Sequence, residues 1–496
     1  MAKAIMLQGT MSNVGKSILT AGLCRIFAQD GYTVAPFKSQ NMALNSYITS
    51  DGLEIGRAQA VQAEACGIPP SADMNPVLLK PTTDCGSQII VGGKPRCNMS
   101  AADYFSYKTE LIPEIMSAYE RLAAENDIIV IEGAGSPAEI NLKHNDIVNM
   151  GMARLAHAPV LLIGDIDPGG VFAQLAGTLL LLTDEERCMV KATVINKFRG
   201  DVSLLRPGLS MLEELTAKPV AGVVPMLNID IDDEDSQSRR LSEKRPAALD
   251  IAVISLPRMS NYTDFSALAA TGGVSVRYVK KSAELKNPDL IILPGSKSTI
   301  ADLNWLKSCG LFDAVKAHAA AKTPIIGICG GYQLLGESIT DSVGAEGGGS
   351  AESLGLLPVE TDFTLNKHCS RTRGRIINAE NIFAPLMSAP AKGYEIHMGE
   401  TSLAEGAKPF IELEDGSFDG CTAGNIIGTY LHGIFDDDEL RCRLLFLLCD
   451  RKKIPRSSLS LSSYDIHRQQ EYDKLADALR QSLDMPMIYK ILEEGL

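Results

Sequence analysis

The chain has no excess of positive charge, no Cys-x-x-C pair, no long apolar run and no internal repeat, and each absence excludes a class of function. Its formal net charge is −14. Binding along a nucleic-acid backbone or an anionic lipid surface needs a basic face, so neither is expected here. An acidic ligand would have to meet a local basic cluster. The 11 cysteines are scattered without a Cys/His metal spacing, in a chain large enough to fold without staples, so reduced thiols and a cytoplasmic location are expected. The longest apolar run, around residues 175–182, is too short to cross a bilayer. Met-Ala-Lys-Ala leads into the first apolar run with no signal-peptide pattern, so no membrane partner is expected. Coiled-coil heptads are also lacking, and the sequence leaves the oligomeric state open.

What is present fits an α/β protein of two doubly wound domains. At 496 residues the chain exceeds one typical core. Apolar runs at 33–37, 127–131, 159–164, 191–195 and 219–224 alternate with helical patterns such as 53–66, 147–157 and 171–182. Such alternation gives a parallel sheet covered on both faces, with ligands beyond the carboxyl ends of its strands. A charged stretch without apolar periodicity, rich in Asp, Glu, Arg and Lys, then reads as a linker over 231–248. A second alternating series follows, with strands at 251–256, 274–279, 290–293 and 325–328. The expected organisation is therefore a phosphate-loop domain over 1–230, the linker, a second α/β domain over 249–440 and a helical extension over 441–496. Leu475, Ala476, Leu479 and Leu483 at helical spacing suggest that the extension docks back on the protein.

In the first domain the stretch Gly9-Thr10-Met11-Ser12-Asn13-Val14-Gly15-Lys16-Ser17 lies between a strand pattern and a helix pattern. Backbone N–H groups and a helix amino terminus converge there, Lys16 adds charge, and Ser17 is placed to ligate Mg²⁺. Gly9, Thr10, Asn13, Val14, Gly15, Lys16 and Ser17 are thus candidates for holding ATP, joined by Lys38 after the second strand. The loop is longer by one residue than G-x-x-x-x-G-K-[ST], and in this it is similar to dethiobiotin synthetase and its relatives, which phosphorylate a carboxylate. Glu132 closes the third strand, where Mg²⁺ needs a hard oxygen ligand beside the phosphates. Asn196 either reads the adenine edge or caps the next segment. Asp165 and Asp167 suit an outer shell for the metal, a substrate contact or a turn. They are kept as substrate candidates together with Gln40, Asn41 and Lys94, the last lying in an insertion whose Lys80, Lys94 and Arg96 read as exposed basic groups.

The second domain centres on Gly327-Ile328-Cys329-Gly330-Gly331, where a buried strand feeds a tight turn and a helix. This is the thiol counterpart of the nucleophile elbow. A helix amino terminus lowers a thiol's pKa from ~8.5, so Cys329 is expected to be the nucleophile. His432, at a strand end far downstream, is the candidate base. Pro294-Gly295-Ser296-Lys297 is suited to offer N–H groups to an oxyanion, with Gly295 and Gly330 as the donors. His397 is expected to be a binding or structural group, His368 to lie in a loop, and the glycine-rich run 344–350 to be a flexible loop or a lid.

The segment 327–335 with Leu431-His432-Gly433 resembles the class I glutamine amidotransferases, which release ammonia from glutamine through a cysteine thioester. Adding Gly9–Ser17, residues 35–42, Glu132-Gly133-Ala134-Gly135-Ser136-Pro137, Asp165-Ile166-Asp167, Pro294-Gly295-Ser296-Lys297 and Gly393-Tyr394-Glu395-Ile396-His397, nearly the whole chain resembles the cobyrinic/cobyric acid synthase family of cobalamin biosynthesis. The resemblance implies a ligase that uses ATP, Mg²⁺ and glutamine to amidate a corrinoid. The expected substrate is adenosylcobyrinic acid a,c-diamide, converted at its b, d, e and g carboxylates through acyl phosphates and glutamine-derived ammonia. Two departures stand out. The usual His-Pro-Glu ending is replaced by His432-Gly433-Ile434, which leaves the third member of the Cys–His pair unassigned, and the usual Asp-Ile-Asp-Arg-Gly-Gly carries Pro168 in place of arginine. Two alternatives remain at this point: an a,c-diamide synthase-like enzyme acting on another polycarboxylate, and a nucleotide-driven switch of the partitioning-ATPase kind.

Overall fold

The structure, a computed structural model, describes residues 2–81, 86–232 and 247–496. Most of the expected linker, 233–246, lies outside the described residues. The chain forms two compact units that interleave in sequence: Met1–Ala43, Glu54–Glu234 and Arg468–Leu496 in one, Leu44–Leu53 and Asp235–His467 in the other.

The first unit holds a six-stranded parallel sheet in the order Val220–Pro225, Val190–Phe198, Val160–Asp165, Lys3–Gly9, Ile128–Glu132, Val34–Phe37. Successive side chains of a strand point to opposite faces, and both faces here are apolar. Met6, Ile129, Ile131, Val160 and Leu162 pack with the helix Ile112–Glu125. Ile5, Leu7, Ile128, Val130, Leu161 and Ile163 pack with the helix Lys16–Gln29 and with Leu475, Leu479, Ile488 and Ile491 of the carboxyl-terminal segment. Those last residues cover one face of the first sheet, which accounts for the helical apolar spacing read there. Leu479 is fully buried, and Leu479→Ala should lower stability by about 2–5 kcal/mol, measured by denaturant melts.

The insertion is a sheet of its own, Gln40–Met42, Val77–Pro81, Gly86–Val91 and Lys94–Ser100 in that order. Within it Lys80 is buried and ion-paired with Glu54 at 2.8 Å, so it is not the exposed basic group expected. A lysine emerging on the covered face of a strand must be neutralised there.

In the second unit five parallel strands run in the order Val274–Val279, Leu249–Ile254, Leu290–Leu293, Ile325–Ile328, Ile426–Thr429, with Cys421–Ala423 antiparallel at the edge. Beside it lies a sheet built on a long antiparallel ribbon, Val359–Ile376 against Pro390–Leu403. His368 is therefore on a strand, not in a loop. The glycine-rich run at 344–350 is tied down as well. The Asp341 carboxylate accepts the backbone N–H groups of Ala345, Glu346 and Gly348 at 2.8 Å each, and Glu346 accepts the N–H of Thr299 at 2.8 Å. The run is thus the closed turn of a hairpin joining Ser338–Asp341 to Gly349–Glu352.

Candidate functional site

In the first unit the phosphate loop leaves the strand Lys3–Gly9 and enters the helix Lys16–Gln29 at Gly15, whose φ of 95° only glycine adopts readily. A Cβ on Gly15 would stand 2.3 Å from the side-chain nitrogen of Asn196. That helix has no acidic residue in its first turn and no side-chain cap, so its orphan N–H groups are left for an anion. Lys16 is buried and its Nζ donates to the carbonyls of Gly135 (3.1 Å) and Met11 (3.3 Å).

Glu132 is the hub of this site. Its Oε1 accepts from Ser17 Oγ at 2.8 Å and from Lys38 Nζ at 2.9 Å, and its Oε2 accepts from Gln62 Nε2 at 2.6 Å. Burial pushes the Glu132 carboxyl up, but the Lys38 charge and the Gln62 and Ser17 hydrogen bonds outweigh it and hold the group below the usual carboxylate range. The carboxylate is therefore an ionised hard ligand beside a serine hydroxyl, a donor set that fits Mg²⁺. Gln62, on the helix Arg57–Cys66, went unrecognised in the sequence because a glutamine on a helix carries no spacing signal.

The remaining first-unit candidates divide. Asn196 Nδ2 donates to the carbonyl of Val14 at 2.7 Å, and Lys197 reaches the carbonyl of Asn13 and pairs with Asp165 at 2.7 Å. Asn196 and Asp165 thus brace the phosphate loop from the neighbouring strand ends. Asp165 also accepts the N–H of Asp167 (2.9 Å), the turn-forming alternative, while Asp167 pairs with Arg199 at 2.9 Å. Thr10 donates to Gln174 at 3.2 Å. Gln40 accepts from Tyr104 at 2.6 Å, and the buried Asn41 bonds Gln59 at 3.0 Å. Lys94 is exposed on the outer strand of the insertion sheet, three strands away from Gln40.

In the second unit Cys329 sits at the elbow with φ 51° and ψ −110°, a conformation that bulky residues avoid and that the surrounding structure enforces. Its N–H bonds the Thr429 carbonyl at 2.8 Å. A Cβ on Gly331 would meet the Leu293 carbonyl at 1.9 Å, so the helix can approach the neighbouring strand this closely only with glycine there. The thiol is buried, with Sγ 3.6 Å from the Ile396 carbonyl. His432 is fully buried; its Nδ1 lies 2.7 Å from Asp264 Oδ2, and Asp264 Oδ1 accepts the N–H of Gly433 at 2.9 Å. The opposite nitrogen, Nε2, finds no hydrogen-bond partner among the described residues. Burial would lower the imidazole's pKa, but the Asp264 charge and the Cys329 side chain beside it raise it well above the usual histidine value. Tyr394 fixes the ring from the other side, pairing its backbone with that of His432 and stacking at 5.4 Å.

Gly295 and Gly330 come close to these groups. A Cβ on Gly295 would lie 2.9 Å from His432 Cε1, and one on Gly330 would lie 2.7 Å from the Ser296 nitrogen. Ser296 Oγ donates to Asp302 at 2.6 Å, and burial raises that carboxyl to about 6. This anchors the loop beside the elbow. The arrangement is a buried thiol, an imidazole, a carboxylate holding that imidazole's far nitrogen, and the tight loop at Gly295–Ser296 packed against Gly330. It is competent for acyl transfer from an amide.

Residues 5–238 match the family described as CobQ/CobB/MinD/ParA nucleotide binding domain, and residues 250–440 match the CobB/CobQ-like glutamine amidotransferase domain. A cobyric acid synthase of Ruminiclostridium cellulolyticum is 55% identical over 504 residues, spanning 100% of this chain and 98% of that protein. The chain belongs to the cobyric acid synthase family. Members from Lachnoclostridium phytofermentans and Yersinia enterocolitica are 54% and 50% identical, over 100% and 99% of this chain. Identity across both halves sets aside the switch reading, which would use the first half alone. It also makes the chain a glutamine-dependent ligase, with ATP and glutamine as co-substrates and a corrinoid as the small molecule acted on.

The chain carries His432-Gly433-Ile434 in place of the usual His-Pro-Glu ending, and the carboxylate that meets His432 is that of Asp264. It lies 168 residues before His432, in the buried turn Tyr262–Phe265. The stretch Asn261-Tyr262-Thr263-Asp264 matches no catalytic motif, so the sequence carried no signal for it. Asp264→Asn should cut glutaminase kcat by about 10²–10⁴-fold. Because the aspartate raises the imidazole's pKa, its loss should move the alkaline limb of the kcat/KM profile to lower pH; an unmoved limb would remove Asp264 from the relay.

Proposed function

We propose that this chain amidates the b, d, e and g carboxylates of adenosylcobyrinic acid a,c-diamide, consuming ATP and glutamine. Hydroxide is too poor a leaving group for direct amidation, so the carboxylate first takes the γ-phosphoryl group of ATP. The carboxylate oxygen bonds phosphorus, ADP leaves, and an acyl phosphate results. Lys16, Lys38 and the helix amino terminus offset the charge on the transferring group. Ser17 and Glu132 would hold Mg²⁺, which supplies further charge neutralisation on the phosphates when bound.

In the second unit the Cys329 thiolate attacks the carboxamide carbon of glutamine, and the N–H groups of Gly295 and Gly330 receive the oxyanion. His432, kept protonated by Asp264, gives its proton to the departing ammonia, and then takes one from the water that cleaves the thioester to glutamate. Ammonia attacks the acyl phosphate, phosphate leaves, and an amide remains. Free ammonia is protonated in water, so transfer shielded from solvent belongs to the proposal. So does a cytoplasmic location, where ATP and glutamine are both at hand.

One observation supports this reading above the rest: a single chain carries both a phosphate loop organised around Glu132 and a buried Cys329 thiol beside the His432–Asp264 pair. Incubating the diamide with ATP and glutamine should yield a corrinoid that has gained four nitrogens, seen by mass spectrometry. Release of phosphate without amidation of those side chains would refute it.

A further inference from the structure

The antiparallel ribbon places His368 directly opposite His397. Glu395, two residues before His397 on the same strand, shares that face. The two imidazole rings lie 5.2 Å apart, His368 Nε2 is 3.1 Å from Glu395 Oε2, and one ligand atom from each of the three residues lies within 4.8 Å of the others. None of the three belongs to the Cys329–His432–Asp264 relay.

The orientation of each donor is set by its neighbours. His397 Nδ1 sits 2.8 Å from the Gly399 carbonyl, so the ring proton is used there and Nε2 keeps its lone pair. A metal-bound histidine usually has its outer nitrogen satisfied in this way. The ring is also stacked on Tyr430 at 3.7 Å. Ser370 Oγ holds Glu395 Oε2 at 2.9 Å. All three residues line one cavity of about 910 Å³, together with Ser370, Thr401 and Tyr430, so an ion could enter and complete its shell with water.

We propose that His368, Glu395 and His397 form a binding site for a divalent cation of the zinc class. Two imidazoles and one carboxylate are a borderline donor set of the kind zinc takes with three protein ligands and an open position, whereas Mg²⁺ prefers oxygen alone. The site bears on the thiol through the chain itself. Ile396, between two of the ligands, carries the carbonyl that Cys329 Sγ faces at 3.6 Å. An ion gripping residues 395 and 397 therefore fixes the peptide next to the nucleophile. That link to turnover rests on the glutaminase reading; the binding itself does not.

The test is a titration of the full chain, stripped by a chelator, with Zn²⁺ alone in competition with a chromophoric chelator, and with Mg²⁺ in parallel. One equivalent of Zn²⁺ should bind, with Mg²⁺ failing to compete. The same equivalent should persist in Cys329→Ala, where the reactive thiol is gone, and weaken on the order of 100-fold in Glu395→Gln and His368→Gln. The His368 side chain is 56% exposed, so its replacement leaves packing intact and serves if Glu395→Gln fails to fold. Co²⁺ should give a visible d–d band that the His368 variant lacks. Zinc binding equal in wild type and His368→Gln, or lost in Cys329→Ala and kept in Glu395→Gln, overturns the proposal.

Discussion

Cys329→Ala should lose glutamine-driven amidation, by at least about 10⁴-fold, while amidation driven by added ammonium salts continues near its original rate. Alanine keeps the Cβ, so the elbow at φ 51° and its N–H bond to Thr429 are not asked to change. What disappears is the sulfur, and with it the thioester. His432 is held on one side by Asp264 at 2.7 Å, and it is oriented to move protons, not to replace the thiol as nucleophile. In the proposed reaction Lys16, Ser17, Lys38 and Glu132 activate the carboxylate, and none of them belongs to the unit that holds the thiol, so ammonia supplied from solution should find its acyl phosphate as before. The paired assay, glutamine against ammonium, separates a missing nitrogen donor from a damaged enzyme. Loss of both activities would refute the assignment of Cys329 as a dedicated glutaminase nucleophile.

Much of this chemistry was legible because the relevant residues are local. Gly15, Lys16 and Ser17 are contiguous, Gly327–Gly331 are contiguous, and each set sits where a strand pattern gives way to a helix pattern. Glu132 was reachable because a carboxylate ending a wholly apolar strand is out of place in a core. Asp264, Gln62 and the His368–Glu395–His397 cluster were hidden for the opposite reason. Their partners lie 168, 70 and 27 residues away, and only the tertiary fold brings them together. The ribbon itself gave a weak signal, since Val359–Ile376 and Pro390–Leu403 alternate buried and exposed positions irregularly and lack the strong apolar runs of the parallel strands.

The interleaving of the two units was equally invisible. Residues 44–53 lie between first-unit segments in the chain yet pack in the second unit, where Ser46 N–H donates to Asn261 at 2.9 Å and the Ser46 carbonyl accepts from Tyr394. Composition gives no hint of this, because a short excursion carries too few apolar residues to announce which core it joins. Its effect is to place a piece of the chain that follows Gln40 and Asn41 against Tyr394, the residue stacked on His432. Likewise the closing helices could be recognised as amphipathic but not assigned to a face. An apolar stripe specifies that it will be buried, and the partner surface is chosen by shape.

Lys16→Ala provides the complementary test. Lys16 is buried, and its ammonium reaches the carbonyls of Met11 and Gly135, a position in which a cation spans the loop and the strand end that carries Glu132. When γ-phosphate is transferred, negative charge accumulates on oxygens that the loop encloses, and a fixed cation in a dehydrated pocket acts on that charge without having to reorganise. Removing one such donor typically costs about 10²–10³-fold, so amidation from glutamine and from ammonia should fall together by at least that much. Glutamine hydrolysis should persist, since no part of the Cys329–His432–Asp264 relay involves Lys16. A thermal melt close to that of the wild type would show that the loss is chemical and not structural. Retention of ammonia-driven amidation in this variant would mean that the phosphate loop does not activate the carboxylate.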